Sequence, residues 1–275
     1  MKNEYLSTGF QNVDGATQQN AYFICLKFLD SLPYYKTCKR RSYALLALKP
    51  GMTVLEAGCG LGDDAIRIAK RIAPQGKVIG LDASAAMIKK AASRKSTAHL
   101  PVIFQTGDIQ ALPFPDDSFS RCRVDRVLQH IPRPQTAMNE LVRVLEPEGL
   151  LLAYDNDWDT FSIVSGNASV SRHIEKIWSF SFANRRIGFD LPRLFLEAGL
   201  SDMKIYPATS IIADFETADK VYNLRETVQK AMEQNAITSN QAKDWIDELR
   251  RQTDEGRFLA TLTAYTVIGR KAVKP

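Results

Sequence analysis

Short apolar segments alternate with helical segments through the middle of the chain, and this alternation constrains the fold more than any other feature. Five segments are predicted to be buried strands: Thr53–Ala57, Lys77–Leu81, Pro101–Thr106, Ser120–Leu128 and Leu150–Tyr154. Three segments between them have apolar residues at helical spacing: Asp63–Ile72, Ser84–Ala92 and Pro134–Leu145. Strands and helices that alternate in this way are joined by right-handed crossovers. The sequence therefore predicts an α/β fold with a doubly wound parallel sheet.

The residues before this region are predicted to be accessory to the sheet. Two helices, Gln18–Leu29 and Lys36–Leu48, precede the first strand and are too short to form a domain of their own. We therefore predict that residues 1–48 form a helical cover over one end of the sheet. The main domain is then expected to comprise residues 49–275.

The last third of the chain contains a helical insertion. A helix over Asp190–Ala198 and a strand over Asp202–Ile212 precede a strongly charged helical stretch from Thr217 to about Thr253. A final strand is predicted at Phe258–Gly269. Because the chain returns to the sheet at its end, we interpret residues 217–253 as an insertion in the main domain and not as a second domain.

Composition excludes several classes of protein. The 275 residues are 45% hydrophobic and 24% charged, which is typical of a globular chain and excludes a mainly disordered one. The formal charge of +5 is spread thinly and its densest cluster is Lys39–Arg41, so we expect no nucleic-acid partner. The 4 cysteines lack a CxxC pair and the 3 histidines lack ligand spacing, so neither a disulfide framework nor a metal site is predicted.

The same reading of the sequence predicts a cellular location. Scattered cysteines fit a reducing compartment, and the polar segment Met1–Phe10 does not have the apolar core of a signal peptide. No apolar run reaches about 18 residues, the length that a membrane-spanning helix needs. We therefore expect a cytoplasmic protein without membrane insertion.

A glycine-rich turn follows the first predicted strand. Residues Glu56–Gly62 read Glu-Ala-Gly-Cys-Gly-Leu-Gly and run from a buried strand into a helix. Glycines at such a junction allow a tight turn and let a ligand approach the backbone, while the helix N-terminus provides unpaired N–H groups. A dinucleotide fingerprint would need its third glycine at the position of Asp63. The glycines alone are also compatible with a simple strand–helix turn.

Acidic residues follow the next two strands. Asp82 ends the second strand, where an acid in a doubly wound sheet accepts hydrogen bonds from ribose hydroxyls. Asp108 follows the third strand, where it could reach an adenine amino group. Because ligands of open α/β sheets bind at the carboxyl ends of the strands, the glycine turn and these two acids predict an adenosine-containing ligand there.

Together these segments resemble the class I S-adenosylmethionine-dependent methyltransferases, most strongly over residues 49–155. Glu56–Gly62 is similar to the family's first motif, and Gly80–Ser84 with Met87 is similar to its second-strand acid and following helix. Three further segments resemble the adenine-side motif, the residues after the fourth strand and the turn into the fifth: Gly107–Ile109, Val127–Ile131 and Arg143–Gly149. The subgroup of closest resemblance methylates quinones and natural products.

The resemblance implies a fold and a cofactor. The expected fold is a seven-stranded, Rossmann-like sheet whose last strand is antiparallel. The expected cofactor is S-adenosyl-L-methionine, with S-adenosyl-L-homocysteine as the product. Ser120 and Glu146–Gly149 depart from the family pattern, but neither departure removes a cofactor ligand. The residues expected to bind the cofactor are Glu56, Gly58, Cys59, Gly60, Gly62, Asp82, Ala83, Met87, Gly107, Asp108, Ile109 and Arg126.

Candidate catalytic and substrate-binding residues lie near the later strands and in the N-terminal helices. The sulfonium of the cofactor makes its methyl group electrophilic, so the protein must mainly align the acceptor, and a base is needed only if the acceptor loses a proton. His130 is the candidate base and also a substrate-binding candidate, although a structural histidine that caps the following turn explains it equally well. The other substrate-binding candidates are Tyr34, Tyr35, Asp155 and Asp157.

We therefore predict a methyltransferase that acts on a small-molecule acceptor by in-line displacement, as a monomer or homodimer. Two alternatives remain open: an RNA or protein methyltransferase, and a non-catalytic regulatory protein that binds S-adenosylmethionine. The N-terminal helices and the insertion at residues 217–253 are predicted to form the acceptor pocket together, as a lid. A helical pair that supports the sheet edge, or a dimer contact, would also explain the insertion.

Overall fold

The residues that this computed structural model describes, 9–94 and 97–273, form one seven-stranded sheet. Its strands are β1 (Thr53–Ala57), β2 (Lys77–Asp82), β3 (Val102–Thr106), β4 (Phe119–Asp125), β5 (Leu145–Ile163), β6 (Leu200–Ile212) and β7 (Ala260–Lys271). Their spatial order is β3-β2-β1-β4-β5-β7-β6. Neighbours from β3 to β5 are parallel, whereas β7 is antiparallel to β5 and β6. The predicted doubly wound sheet with an antiparallel last strand is confirmed.

Helices cover both faces of the sheet and the edge above its strand ends. They are α1 (Gln19–Ser31), α2 (Pro33–Leu45), α3 (Asp63–Ile72), α4 (Ala85–Ala92), α5 (Pro134–Arg143), α6 (Ala168–Ser179), α7 (Ile187–Glu197), α8 (Phe215–Tyr222), α9 (Leu224–Glu233) and α10 (Ser239–Asp254). The Ser84 hydroxyl caps α4 by accepting the N–H of Met87 at 3.1 Å, and Pro134 begins α5.

The central strands are apolar on both faces, which is why they lie in the middle of the sheet. Val54 and Leu55 are both fully buried although they point to opposite sides of β1. The parallel register aligns Ala57 with Leu81, and Asp125 of β4 with Tyr154 of β5. The loops that follow these strands therefore meet along one edge, which we call the carboxyl edge.

Two predictions about strand length are wrong. The fourth strand ends at Asp125 instead of Leu128, and residues Leu128–His130 form a short 3₁₀ turn. The fifth strand is 19 residues long and continues to Ile163, far beyond the predicted end at Tyr154. Its polar extension pairs with β7, and Asp155, for example, lies opposite Tyr265. Pairing of this kind is non-local, so the polar sequence of the extension did not indicate a strand.

The extension of β5 supports a second hydrophobic core above the carboxyl edge. Side chains from β5, α6 and the insertion pack together in this core. It is separate from the core that the central strands form with α5 and α7. Trp158 stacks on Phe182 with ring centroids 3.9 Å apart and an interplanar angle of 7°. Trp178 packs edge-on against Trp158 at 4.6 Å. The second core thus places large aromatic rings next to the ends of the central strands.

The insertion comprises three helices, α8 to α10, and is part of this second core. Phe215, Tyr222, Leu224 and Trp245 are each at most 1% exposed and pack in the same cluster as the aromatic rings of β5 and α6. The insertion is therefore more than a removable flap, because its deletion would uncover the second core.

The segment Met1–Phe10, which is predicted not to have a signal-peptide core, lies mostly outside the described residues, which begin at Gly9. Among the described residues, no helix has the length and apolar character that a membrane crossing requires.

Candidate active site

A cavity of about 550 Å³ opens at the carboxyl edge. Because β2 lies on one side of β1 and β5 lies on the other, two groups of lining residues can be distinguished. One group, here called the cofactor half, follows β1, β2 and β3 and comprises Gly58, Gly60, Asp82, Ala83, Met87, Gly107, Asp108, Ile109 and Gln110. The other group, here called the aromatic half, comprises His130, Asn156, Trp158, Trp178, Phe182, Lys220, Val221 and Tyr222.

The glycine turn brings backbone atoms to the cavity. Gly58 and Gly60 have φ angles of +70° and +51°, a left-handed conformation that favours glycine. A Cβ atom on Gly58 would lie 2.1 Å from a methyl carbon of Val127, so no side chain fits there. Gly62 also has positive φ, but it caps α3 and its missing Cβ faces Phe104 instead of the cavity. The turn can therefore admit a ligand only along Gly58 and Gly60.

Asp82 is held in place by the same turn. Its carboxylate accepts the N–H of Gly60 at 2.7 Å and the N–H of Ser84 at 3.0 Å. Burial raises its pKa, and these backbone hydrogen bonds oppose that rise. A carboxylate oxygen can accept more than one hydrogen bond, so both oxygens remain able to accept hydroxyl donors from the cavity. Asp82 is thus a rigid acceptor suited to a ribose diol.

The residues after β3 provide further polar atoms. Asp108 accepts the backbone N–H of Gln110 at 2.8 Å, which fixes its carboxylate at the cavity. Among the described residues, the buried Oε1 of Gln110 has no hydrogen-bond partner. A buried acceptor without a partner is costly, and an amino group of a ligand could satisfy it. Ala83, Met87, Gly107 and Ile109, which the sequence predicts to bind the cofactor, also line the cavity.

Glu56 and Cys59 lie behind the glycine turn and not in the main cavity. Both line a small recess of about 70 Å³ next to it. Glu56 forms an ion pair with the fully buried Arg123, and among the described residues its Oε2 has no hydrogen-bond partner. Burial raises the pKa of the Cys59 thiol. Glu56 therefore pairs with Arg123 behind the glycine turn and does not line the main cavity.

Arg126 connects the two halves of the cavity. It follows β4 with φ +56°, an uncommon conformation for a non-glycine residue, and its N–H bonds the carbonyl of Tyr154 at 2.7 Å. Its guanidinium donates to Asp125 at 3.0 Å and lies over the Tyr35 ring at 4.7 Å from the centroid. Tyr35 and Arg126 both line the cavity. The charge of Arg126 is thus already paired.

His130 lies in the aromatic half, between the rings of Phe10 at 5.8 Å and Phe182 at 6.3 Å. Burial lowers its pKa to about 4, and the nearby charge of Arg126 adds to this effect, so the ring is neutral at pH 7. Its Nε2 lies 2.9 Å from the amide nitrogen of Gln129, whose oxygen accepts from Asn156 at 3.4 Å. With the amide in this orientation, Nε2 accepts and Nδ1 carries the proton. Nδ1 has no partner among the described residues.

Asp155 and Asp157 do not line the cavity. Side chains alternate along a strand, and on β5 it is Asn156 and Trp158 that line the cavity. Asp155 accepts the N–H groups of Asn156 at 3.1 Å and Gln129 at 3.3 Å, and burial raises its pKa to about 8. It therefore anchors the turn that carries His130. Asp157 bonds the N–H of Asp159 at 3.3 Å.

The two tyrosines of α2 have different positions. Tyr35 is buried and lines the cavity beside Arg126. Tyr34 lies away from it: its hydroxyl donates to the carbonyl of Ala208 at 3.0 Å and accepts from the Tyr154 hydroxyl at 3.3 Å. Tyr34 thus connects α2 to β6 and does not line the cavity.

Sequence reasoning missed an N-terminal strap, residues 9–18, that covers the cofactor half. Phe10, Gln11 and Val13 line the cavity. Asp14 accepts the first two N–H groups of α4 at 2.8 and 3.1 Å and the Ser84 hydroxyl at 2.5 Å. These hydrogen bonds, the Ser84 bond most of all, lower its pKa against the opposing effect of burial. No local pattern links Asp14 to a helix 70 residues later.

The chain is similar to methyltransferases in sequence and in fold. A family model described as a methyltransferase domain matches residues 48–226. An uncharacterized 37.1 kDa protein in transposon TN4556 of Streptomyces fradiae is 35% identical over 250 residues, which cover 88% of this chain and 70% of that protein. The 2-phytyl-1,4-naphtoquinone methyltransferase of Synechococcus elongatus is 37% identical over 119 residues. That match covers 42% of this chain and about half, 51%, of the enzyme.

Solved structures share the fold. The phosphoethanolamine N-methyltransferase 2 of Haemonchus contortus, in complex with S-adenosyl-L-methionine, superposes with a TM-score of 0.61 at 17% sequence identity. The superposition covers 96% of this chain and 60% of that one. At this identity the similarity concerns the arrangement of strands and helices alone.

Proposed function

Because the chain belongs to the class I S-adenosylmethionine-dependent methyltransferases, we propose that it transfers the methyl group to a small-molecule acceptor bound in the aromatic half of the cavity. The observation that carries this proposal is the set of aromatic side chains that line that half. Rings from β5, α6 and the insertion surround it, and the second core fixes them in place. A site of this kind suits a compact, largely apolar ligand.

S-adenosylmethionine supplies an electrophilic methyl group when bound, and the residues of the cofactor half fit it. Asp82 would accept the ribose hydroxyls, and the unpartnered Oε1 of Gln110, together with Asp108, would accept from the adenine amino group. The backbone of Gly58 and Gly60 lines the cavity and would face the rest of the molecule. The further predicted contacts through Ala83, Met87, Gly107, Ile109 and Arg126 are part of the proposal.

The two covering segments support an acceptor site that excludes water. Tyr35 and the strap come from residues 1–48, and Lys220, Val221 and Tyr222 come from the insertion. Both segments therefore line the same cavity, as a shared lid would require. We propose that residues 1–48 act as a cover and that residues 49–275 form the methyltransferase domain with its insertion.

In this site His130 acts as a hydrogen-bond donor to the acceptor. Its Nε2 is engaged by Gln129, and the neutral ring presents the Nδ1 proton. It would take a proton from the acceptor only after the Gln129 amide turns over. Alignment of the acceptor is then the main contribution of the protein, and such orientation can lower a barrier by about 7–11 kcal/mol in favourable cases.

Isotope transfer from labelled S-adenosylmethionine in a cell extract tests the proposal. We expect label in a small molecule other than S-adenosylmethionine after size filtration. With S-adenosylmethionine kept well below its wild-type dissociation constant, an Asp82→Ala variant should transfer at least about tenfold less label at the same protein concentration. Label confined to RNA or protein would contradict a small-molecule acceptor. Cofactor binding without any transfer would instead support a regulatory protein.

A further inference from the structure

The aromatic half offers several hydrogen-bond donors. Among the described residues, the indole Nε1 atoms of Trp158 and Trp178 are buried without a hydrogen-bond partner, and both residues line the cavity. An indole N–H only donates, so neither group can be satisfied by another donor. The Nδ1–H of His130 is the third such group. A ligand that satisfies these groups must present oxygen or another acceptor.

Lys220 adds a positive charge at the same place. Its side chain lines the cavity from α8, and its ammonium lies 5.7 Å from the centre of the Phe28 ring of α1. It therefore sits where the insertion meets the N-terminal helices. Glu216, one turn earlier on α8, is engaged in an ion pair with Arg225 at 2.6 Å. No ion pair involving Lys220 occurs in the part of the chain that the structure describes.

The remaining charges that line the cavity do not neutralise Lys220. Asp82 and Asp108 belong to the cofactor half, and Asp125 is paired with both Arg123 and Arg126. When bound, the cofactor brings a sulfonium, which is also positive. An acceptor with a negative charge would complement both cations, whereas a neutral acceptor would leave the exposed ammonium of Lys220 to water alone.

The shape of the aromatic half sets the rest of the ligand. Trp158 and Phe182 form a parallel stack, and Trp178 stands edge-on to both. Flat rings bind to such surfaces through offset or edge contacts. Resting on the proposed function, we propose that the acceptor is a planar aromatic molecule with an anionic oxygen group, a carboxylate or an ionised ring hydroxyl, which Lys220 recognises and the indole N–H groups assist.

This proposal assigns a chemical role to Lys220. An ammonium next to a ring hydroxyl favours the ionised oxygen, which is the nucleophilic form. If the acceptor binds as an anion, its proton has already passed to solvent, and the anionic oxygen carries the electron pair that forms the new bond to the methyl carbon. The bond between that carbon and sulfur breaks, and its electron pair stays on sulfur. No proton then has to pass to His130 before transfer.

Calorimetric titration tests the proposal independently of turnover. The protein, saturated with S-adenosylhomocysteine, is titrated with 1-hydroxy-2-naphthoate, with 2-naphthol and with 2-naphthoate. The first and third probes carry a carboxylate, and 2-naphthol is neutral at pH 7 but ionises at higher pH. We expect the carboxylates to bind at least about tenfold more tightly at pH 7, the factor that one charge-assisted hydrogen bond provides. If an ionised hydroxyl is the preferred group, 2-naphthol gains affinity as the pH rises past its own pKa.

Variants identify the residues responsible. Lys220→Gln should reduce the preference for anionic probes about tenfold without changing the affinity for S-adenosylhomocysteine. Lys243→Gln, which removes an exposed lysine of α10 outside the cavity lining, is the matched control and should change neither affinity. Trp158→Phe and Trp178→Phe keep the ring surface but remove the N–H, and each should weaken the anionic probes about threefold to tenfold.

The outcomes separate this proposal from the function on which it rests. Equal affinity for neutral and anionic probes across the pH range, or an unchanged preference in Lys220→Gln, overturns the anionic acceptor. The small-molecule methyltransferase then stands if the extract experiment labels a small molecule. If no probe binds and the extract shows label only in RNA or protein, both proposals fail.

Discussion

Replacement of Asp82 by alanine tests the cofactor half most directly. The carboxylate accepts two backbone N–H groups, from Gly60 at 2.7 Å and from Ser84 at 3.0 Å, and would accept the two ribose hydroxyls as well. A hydrogen bond to a charged group contributes about 1.5–3 kcal/mol, and about 1.4 kcal/mol corresponds to a tenfold change in affinity. Loss of even one ribose contact should therefore raise the dissociation constant for S-adenosylhomocysteine at least about tenfold.

The same substitution should also destabilise the apoprotein. The N–H groups of Gly60 and Ser84 lose their acceptor, and each loss costs about 1–3 kcal/mol if the group stays buried. Water can enter from the cavity, so the low end applies, about 2 kcal/mol for the pair. For a chain of this size, the midpoint of thermal unfolding should fall by about 4–8 °C.

Calorimetry well below the unfolding midpoint separates the two effects, and differential scanning gives the midpoint itself. Asp108→Ala is the matched control, because Asp108 also lines the cavity but, among the described residues, its carboxylate accepts hydrogen bonds only from Gln110. Its effect on affinity and on the midpoint should be smaller. An Asp82→Ala variant that binds S-adenosylhomocysteine as tightly as the wild type would refute the assignment of Asp82 to the ribose.

Three further outcomes are expected. Asp14→Ala removes the acceptor for the first N–H groups of α4 and should speed the release of S-adenosylhomocysteine about fivefold in stopped-flow measurements. Asp244→Ala removes an exposed acid of α10 and should leave the release rate unchanged. Because the pKa of His130 is lowered to about 4, the ring is neutral above that pH. The plot of kcat/KM against pH should therefore show no fall on the acidic side near pH 6.5. A fall there that His130→Asn abolishes would contradict the assigned donor role. Burial raises the pKa of Asp155 from 3.8 to about 8, so the native state holds a proton that the unfolded chain releases, and the free energy of unfolding should fall as the pH rises from about 4 to 8. In Asp155→Asn that fall should be absent from denaturant titrations, and an identical pH dependence in both proteins would count against a protonated Asp155.

The sequence predicted the sheet and the cofactor half because both depend on local patterns. β1 and α3 have the predicted bounds, Thr53–Ala57 and Asp63–Ile72, since apolar periodicity and the glycine turn between them define both elements. Asp82 ends β2 and Asp108 lies two residues after β3, so the parallel topology alone brings them to the same edge as the glycine turn. Gln110 and the strap were missed, because nothing near them in the sequence indicates a ligand or a partner.

The extent of β5 could not be predicted from its own residues. The polar segment Asp155–Asp159 has the composition of a loop, and it becomes a strand by pairing with residues of β7 about a hundred positions later. Only this pairing fixes which side chains alternate toward the cavity. It brings Asn156 and Trp158 there and turns the predicted Asp155 and Asp157 away.

The aromatic half was decided entirely by tertiary structure. Trp158 lies on β5, Trp178 on α6 and Tyr222 on α8, and their packing in the second core brings them together. Each of these residues, taken in its own segment, fits an ordinary buried aromatic residue. Contacts between distant segments leave no periodic pattern in the sequence. The sequence by itself therefore predicted the proposed cofactor site, and the packing of separate elements decided the shape of the cavity beside it.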